Sequence, residues 1–255
     1  MFQFEDREEI QLVLLATTDD LAELLAGAGT IAVLSGAGLS KASGIPTYRD
    51  PDGLWNEEQT RRFASIETRQ SDPDGFREFW RARRAEVARA APNAGHLALA
   101  RLQQLKPDTT LITQNIDGLL TTAGAKDVLE IQGSLHRNRC LACGDAHPAD
   151  DSLRCPACGA AENQLRPDVT FFGEMLDSAT LAKAGWMSKT AQVFLAVGTS
   201  ALVDPAAGLA EKAKIRGARL VVLNNMPTGL DRKADMVLRG AAETLLPAVV
   251  ERLAE

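Results

Sequence analysis

Five short apolar runs, each closed by a polar or glycine-containing loop, recur along this chain with helical patterns between them. The segment "TIAVLSGAGLS" (30–40) shows the unit: residues 31–34 are apolar and β-rich, and small and polar residues follow at once. The unit returns near 109–113 in "DTTLITQNIDGLL", at 192–197 in "AQVFLAVGTS", at 218–223 in "ARLVVLNNMPT" and near 235–239 in "ADMVLRG". Helical periodicity falls at 10–27, 73–90, 93–105, 178–188, 205–216 and 242–253. A continuous apolar run is what a strand buried on both faces looks like. Strands alternating with helices predict an α/β protein with a doubly wound parallel sheet. In such sheets ligands bind beyond the carboxyl ends of the strands. The loops at 35–40, 114–117, 198–200 and 224–225 are therefore expected to meet in one crevice.

Two stretches break the alternation. Residues 41–92 hold a long Gly-, Pro- and Asp-rich loop and then an arginine-rich helix. Residues 133–165 hold all four cysteines and few apolar residues. Both are expected to form a smaller domain inserted into the sheet domain. The resulting division is 1–43, 93–131 and 165–255 for the sheet domain, 44–92 for a cofactor-binding loop and helical module, and 132–164 for a metal-binding module. The chain's 255 residues accommodate this. Its net charge of −6 argues against a general nucleic-acid binder, which needs a basic face. The acidic N-terminus "MFQFEDREEI" has no apolar signal core, and no apolar run approaches the roughly 18 residues of a membrane span. A cytoplasmic protein with no membrane partner is the expectation, and a monomer is expected.

The cysteines read C-x-x-C at Cys140 and Cys143 and again at Cys155 and Cys158. Paired thiolates at this spacing hold a tetrahedral zinc. Gly144 and Gly159 follow the pairs and permit tight knuckles. Four sulfurs fill every coordination position, which makes the zinc structural. The loop "SGAGLS" follows a strand, where glycines let backbone N–H groups approach a pyrophosphate. It is not a complete dinucleotide fingerprint, and no acidic residue follows at the expected distance. Gln114, Asn115 and Asp117 in "TQNIDGLL" suit ribose hydroxyls, a carboxamide or a water, or else a polar turn. In "GIPTYRDPDGLW" Tyr48 and Trp55 anchor a long loop, and Arg49 is placed to meet a phosphate.

Taken together, "GAGLSKASGIPTYRDPDGLW", "TQNIDGLL", the two C-x-x-C pairs, "RPDVTFFGE", "GTSALVDPAAGL" and "LNNMPT" stand in the order seen in sirtuins. The resemblance runs from about residue 20 to the C-terminus. Sirtuins are NAD-dependent protein lysine deacylases. The resemblance implies a Rossmann-type large domain, a small domain of zinc ribbon and helical module, and an acyl-lysine peptide bound between them. It implies that Gly36, Ala37, Gly38 and Ser40 cradle NAD+, and that Tyr48 and Arg49 border the nicotinamide ribose and phosphates. Gln114, Asn115 and Asp117 would line the nicotinamide and ribose site. Gly198, Thr199, Ser200, Asn224 and Ala242 would hold the adenosine half. Phe172, Gly173 and Glu174 belong to the strand that pairs with substrate backbone. The implied products are nicotinamide, O-acyl-ADP-ribose and deacylated lysine.

Two departures stand out. The sirtuin pattern has His-Gly eight residues before the first zinc cysteine, where the histidine is the general base. This chain has Gln132 and Gly133 there. A glutamine amide hydrogen-bonds a ribose hydroxyl but takes no proton near neutral pH. Deacylation is expected to be impaired, whether the glutamine is natural or engineered, and His136 is expected to be structural rather than a relocated base. ADP-ribosyl transfer, NAD hydrolysis and a silent NAD or acyl-lysine binding module are the competing readings. The second departure is in "FWRARRAEV". Desuccinylating sirtuins carry Tyr-x-x-Arg at this segment. Arg83 matches the arginine and Trp80 stands at the tyrosine. The two share a helix face. The resemblance implies that Arg83 meets an acidic acyl chain and that the Trp80 indole N–H replaces the phenol in part; the alternatives are core packing for Trp80 and a surface charge for Arg83.

Overall fold

The structure, a computed structural model, describes residues 16–48, 53, 58–150, 154–202 and 204–255. The large sheet is built from β1 (Ile31–Ser35), β2 (Thr109–Thr113), β3 (Leu129–Glu130), then β7 (Val193–Val197), β8 (Arg219–Asn224) and β9 (Met236–Arg239). All pairings are parallel, in the order β3–β2–β1–β7–β8–β9. β1 and β7 are buried at every position because helices cover both faces. Along β1, Ile31 and Val33 enter one core with α1 (Thr18–Gly27), α5 (Ala94–Leu105) and α9 (Ala242–Leu253). Ala32 and Leu34 enter a second core with α7 (Ser178–Thr190) and α8 (Ala207–Ile215). The five strand-like runs of the sequence are β1, β2, β7, β8 and β9. β3 has two residues and no apolar run of its own. α1 begins at a capping box between Thr17 and Asp20, and residues 10–15 of the expected helix lie outside the described residues.

The smaller part combines three helices and a second sheet. The helices are α2 (Glu58–Phe63), α3 (Ile66–Ser71) and α4 (Pro73–Val87). α4 starts at Asp72, whose carboxylate accepts from Gly75 N–H, with Pro73 in the first turn. The sheet is antiparallel, in the order β5–β4–β6, from β4 (Gly133–Cys140), β5 (Ala146–Pro148) and β6 (Leu165–Val169). The sequence reading assigns 165–169 to the large domain. In the structure these residues are β6, paired with β4. Leu165 packs beside Cys140 and Cys155, and Val169 joins Phe63, Phe76, Leu135 and Phe171 in the core between the helices and this sheet. No helix among the described residues is long and apolar enough to cross a membrane.

Candidate functional site

From β1 the chain winds one way to β2 and β3, and the other half of the sheet starts beside β1 with β7. The strand order reverses there, between β1 and β7. A cleft of about 1680 Å³ opens at this point and runs to the helical module. One small ligand needs roughly 300–1,000 Å³, so the cleft has room for more than one. Ala37, Gly38, Ser40, Tyr48, Gln114, Asn115, Asp117, Gln132, Gly198, Thr199, Ser200, Asn224 and Ala242 all line it. Trp80, Arg83, Phe172, Gly173 and Glu174 line its other end. Gly36 is not among the lining residues, and Arg49 and Trp55 lie outside the described residues.

The glycine loop is built for contact with another loop. A Cβ on Gly36 would sit 2.8 Å from Thr199 Cβ, and one on Gly38 would sit 2.8 Å from Gly198 Cα. Gly38 N–H donates to Gly198 O at 2.8 Å and Gly36 N–H to Val197 O at 3.0 Å. These amides are therefore already committed, which corrects the expectation that both glycines aim N–H groups at a phosphate. Thr199 Oγ1 donates to Gln114 Oε1 at 2.9 Å. The other end of that amide, Gln114 Nε2, is buried and has no partner. A buried donor without an acceptor costs free energy, and this one lines the cleft, where a carboxamide or hydroxyl of a nucleotide would satisfy it. The residues present thus fit NAD.

A buried polar network supports the loop from below. Ser40 Oγ donates to Asp117 Oδ2 at 2.6 Å and lies 3.3 Å from His96 Nε2. Asn115 Nδ2 donates to Ser40 Oγ at 3.0 Å and to Gly36 O at 3.1 Å. Asp117 Oδ1 accepts from Leu119 N–H. His96 has no exposure, and burial holds its pKa below the ordinary value, opposed by Asp117. Sequence reasoning passed over His96. Its signal was local: Asn93 caps α5 and His96 Nδ1 accepts from Asn93 N–H at 3.2 Å, a reciprocal cap in "NAGH".

Gln132 sits in the turn between β3 and β4 and lines the cleft. Its carbonyl accepts from Thr170 N–H at 2.9 Å. Gly133 has φ +83°, and a Cβ there would lie 2.0 Å from Asp168 O, so only glycine fits after Gln132. His136 is exposed and lies outside the cleft lining. Its Nε2 is 2.8 Å from Asp117 O, under the turn at Gly118.

The opposite end of the cleft is aromatic. Trp80 meets Phe171 edge-on at 5.3 Å and Phe79 at 5.4 Å. Its indole N–H donates to Phe63 O at 3.0 Å. That commitment corrects the expectation that the indole replaces a phenol donor toward an acyl chain. Phe172 N–H donates to Ala64 O at 2.9 Å, so this amide too is spent inside the protein. Glu174 is held by Arg166 and accepts from Phe171 N–H, which anchors the segment. Burial alone would raise its pKa, but Arg166 and that N–H outweigh it and hold the carboxyl below its ordinary value.

The four cysteine sulfurs come together in the smaller sheet, with every pair of Sγ atoms within 4.8 Å. Cys140 and Cys158 are 3.8 Å apart, and Cys143 and Cys155 3.7 Å apart. A tetrahedron with zinc–sulfur bonds of about 2.3 Å has edges of about 3.8 Å, so the donor set fits this metal. The two knuckles repeat one geometry. Gly144 N–H bonds Cys140 O and Gly159 N–H bonds Cys155 O, both at 2.9 Å, with φ +81° and +75°. Burial works against a thiolate at Cys140, but N–H groups of Cys143 and Ala142 bring the thiol down to about 7.

A Sir2 family profile matches residues 36–205. The chain belongs to the Sir2 family. It is 38% identical to NAD-dependent protein deacetylase 1 of Pyrobaculum aerophilum over 92% of this chain and 94% of that protein. It is 41% identical to NAD-dependent protein deacetylase 2 of Streptomyces coelicolor over 90% of this chain and 100% of that protein. Among solved structures, a Sir2 homologue in complex with NAD matches with a TM-score of 0.86 at 35% identity, over 94% of this chain and 95% of that one. A Sir2 variant with a deacetylated p53 peptide and 3′-O-acetyl ADP-ribose matches at 0.80 and 29% identity, over 92% and 98%. Within this Sir2 chain the sheet cleft and the aromatic end form one continuous cavity, and Gln132 lies along its wall.

Proposed function

We propose that this chain is an NAD-dependent protein lysine deacylase. The observation that carries the reading is the single cleft that joins the switch point of the parallel sheet, through Gln132, to the aromatic end at Trp80 and Phe171. A nucleotide and an acylated side chain can meet there. The names of the relatives above support the same chemistry. NAD, when bound, supplies an anomeric carbon from which nicotinamide departs. Gln114 Nε2 offers the donor that the protein leaves unsatisfied. Asn224 and Ala242 border the adenosine end, and Ser40, Asn115 and Asp117 fix the loop geometry through their shared hydrogen bonds. The acyl-lysine substrate enters beside Phe172 and Gly173. Cys140, Cys143, Cys155 and Cys158 would hold a zinc through four sulfurs, and such a metal would stabilise the small sheet without taking part in the chemistry.

Gln132 modifies this reading. An amide keeps a hydrogen bond to a ribose hydroxyl but removes no proton from it. We infer slow deacylation with the first step, nicotinamide departure, less affected. The same residue favours a second reading, in which water or another protein group captures the ADP-ribosyl unit. Mass spectrometry of products from NAD+ and an acetylated peptide separates the two. O-acyl-ADP-ribose with deacylated peptide is the expected result. ADP-ribose or ADP-ribosylated protein with intact acyl-peptide would replace the first reading by the second, and binding without any turnover would leave a silent module.

A further inference from the structure

We propose that Glu86 sets the acyl-chain preference of the cleft by holding the guanidinium of Arg83. The inference rests on the deacylase reading and concerns which acyl groups that site accepts. Arg83 and Glu86 lie three residues apart on α4, and both line the aromatic end of the cleft with Phe79 and Thr60. Arg83 Nη1 donates to Glu86 Oε2 at 2.8 Å and Nη2 donates to Thr60 Oγ1 at 2.9 Å. The guanidinium also lies 5.4 Å from the Phe79 ring centroid. The Arg83 side chain is 16% exposed and that of Glu86 51%. The cation is thus fixed in the wall while its counter-ion stands at the solvent side.

A neutral acyl chain entering here meets aromatic surface and a charge already matched. A chain ending in a carboxylate, of the succinyl or malonyl kind, needs the same guanidinium. It would bring a second carboxylate to one cation, and like charges at that range repel. Glu86 is exposed enough to turn into water, giving up a pair of small net worth. It therefore discriminates against acidic chains without excluding them. Trp80 does not offset this, since its N–H is held by Phe63 O. Glu86 is a positioning residue that acts through Arg83.

The test uses one peptide carrying acetyl-lysine or succinyl-lysine, assayed with the unaltered protein, Glu86→Gln, Arg83→Gln and the double variant. Glu86→Gln is expected to raise the succinyl-to-acetyl ratio of kcat/KM by about three- to tenfold. In the Arg83→Gln background the same substitution is expected to shift nothing. An unchanged ratio in Glu86→Gln overturns the proposal, and so does an equal shift in both backgrounds. Failure of the deacylase reading shows separately, as absence of deacylated peptide from every variant. In that event the ratio of the two peptide dissociation constants, read by calorimetry, decides the role of Glu86 by the same criteria.

Discussion

An amide at position 132 cannot act as a base, and the size of the proposed defect is measurable. A general base contributes typically about 10²–10⁴-fold. Gln132→His is expected to raise peptide deacylation by a factor in that range, with NAD affinity little changed because either side chain can hydrogen-bond a hydroxyl. His136→Ala, assayed beside it, is expected to leave turnover in place, since His136 is outside the cleft and bonded to Asp117 O. Loss of turnover in His136→Ala with no gain in Gln132→His would mean that the base has moved. His96 gives a second residue-level expectation. Its pKa is held below the ordinary 6.5 by burial. Below that value the unfolded chain binds the proton and the folded chain resists it. Stability is thus present above about pH 6.5 and lost as the pH falls toward the folded value. Melting temperatures between pH 7 and 5 are expected to fall less steeply in His96→Gln, and parallel curves would remove His96 from the account. Of these two residues only Gln132 was legible in the sequence, from its spacing to Cys140. The role of His96 was not, because only its cap with Asn93 is local and its partners Ser40 and Asp117 come from distant loops.

Among the elements, segments with a clear apolar pattern were legible and the others were not. α5 and α9 carry theirs over twelve residues each, and β1, β2, β7, β8 and β9 in compact runs of four to six. α2 and α3, of six residues each, and β3 owe their form to the tertiary packing around Phe63 and to pairing with β2. The glycine loop was located correctly but its physical purpose was only partly visible, because the sequence does not show that β7's loop lies against it. That contact makes a prediction. In Gly38→Ala the new methyl would lie 2.8 Å from Gly198 Cα and 2.8 Å from Gly198 O, both backbone atoms that cannot turn aside. Overpacking of this kind costs about 1–3 kcal/mol. Gly38→Ala is expected to lower the melting temperature and to weaken NAD binding more than peptide binding, as read by calorimetry with each ligand alone. Wild-type values for both would show that the two loops tolerate separation.

At the scale of the molecule the two parts differ in what holds them. The large sheet has two extensive cores, one on each face. The smaller part has one modest core around Phe76 and Phe171 and a cluster in which the apolar neighbours of the zinc-ribbon strands are Cys140, Cys155 and Leu165. So little buried apolar surface does not offset the entropy of ordering the knuckles, and a metal held by the four cysteines would supply what the core lacks. The C-x-x-C pairs announced this in the sequence, while the attachment of β6 to β4 did not, since 165–169 reads as a weak apolar run interrupted by Pro167 and Asp168. Removing zinc with a chelator, or replacing Cys155 by Ala, is therefore expected to divide the molecule. Amides of β4 and β6 should lose protection in hydrogen exchange while those of β1, β2, β7 and β8 keep it. Peptide binding should fall with the small sheet, because Phe171 and Phe172 follow directly from β6, whereas NAD binding at the switch point should survive in larger part. Loss of protection in both sheets together would show one cooperative unit and overturn this division. Unchanged exchange after complete metal removal would show that the thiols alone hold the ribbon.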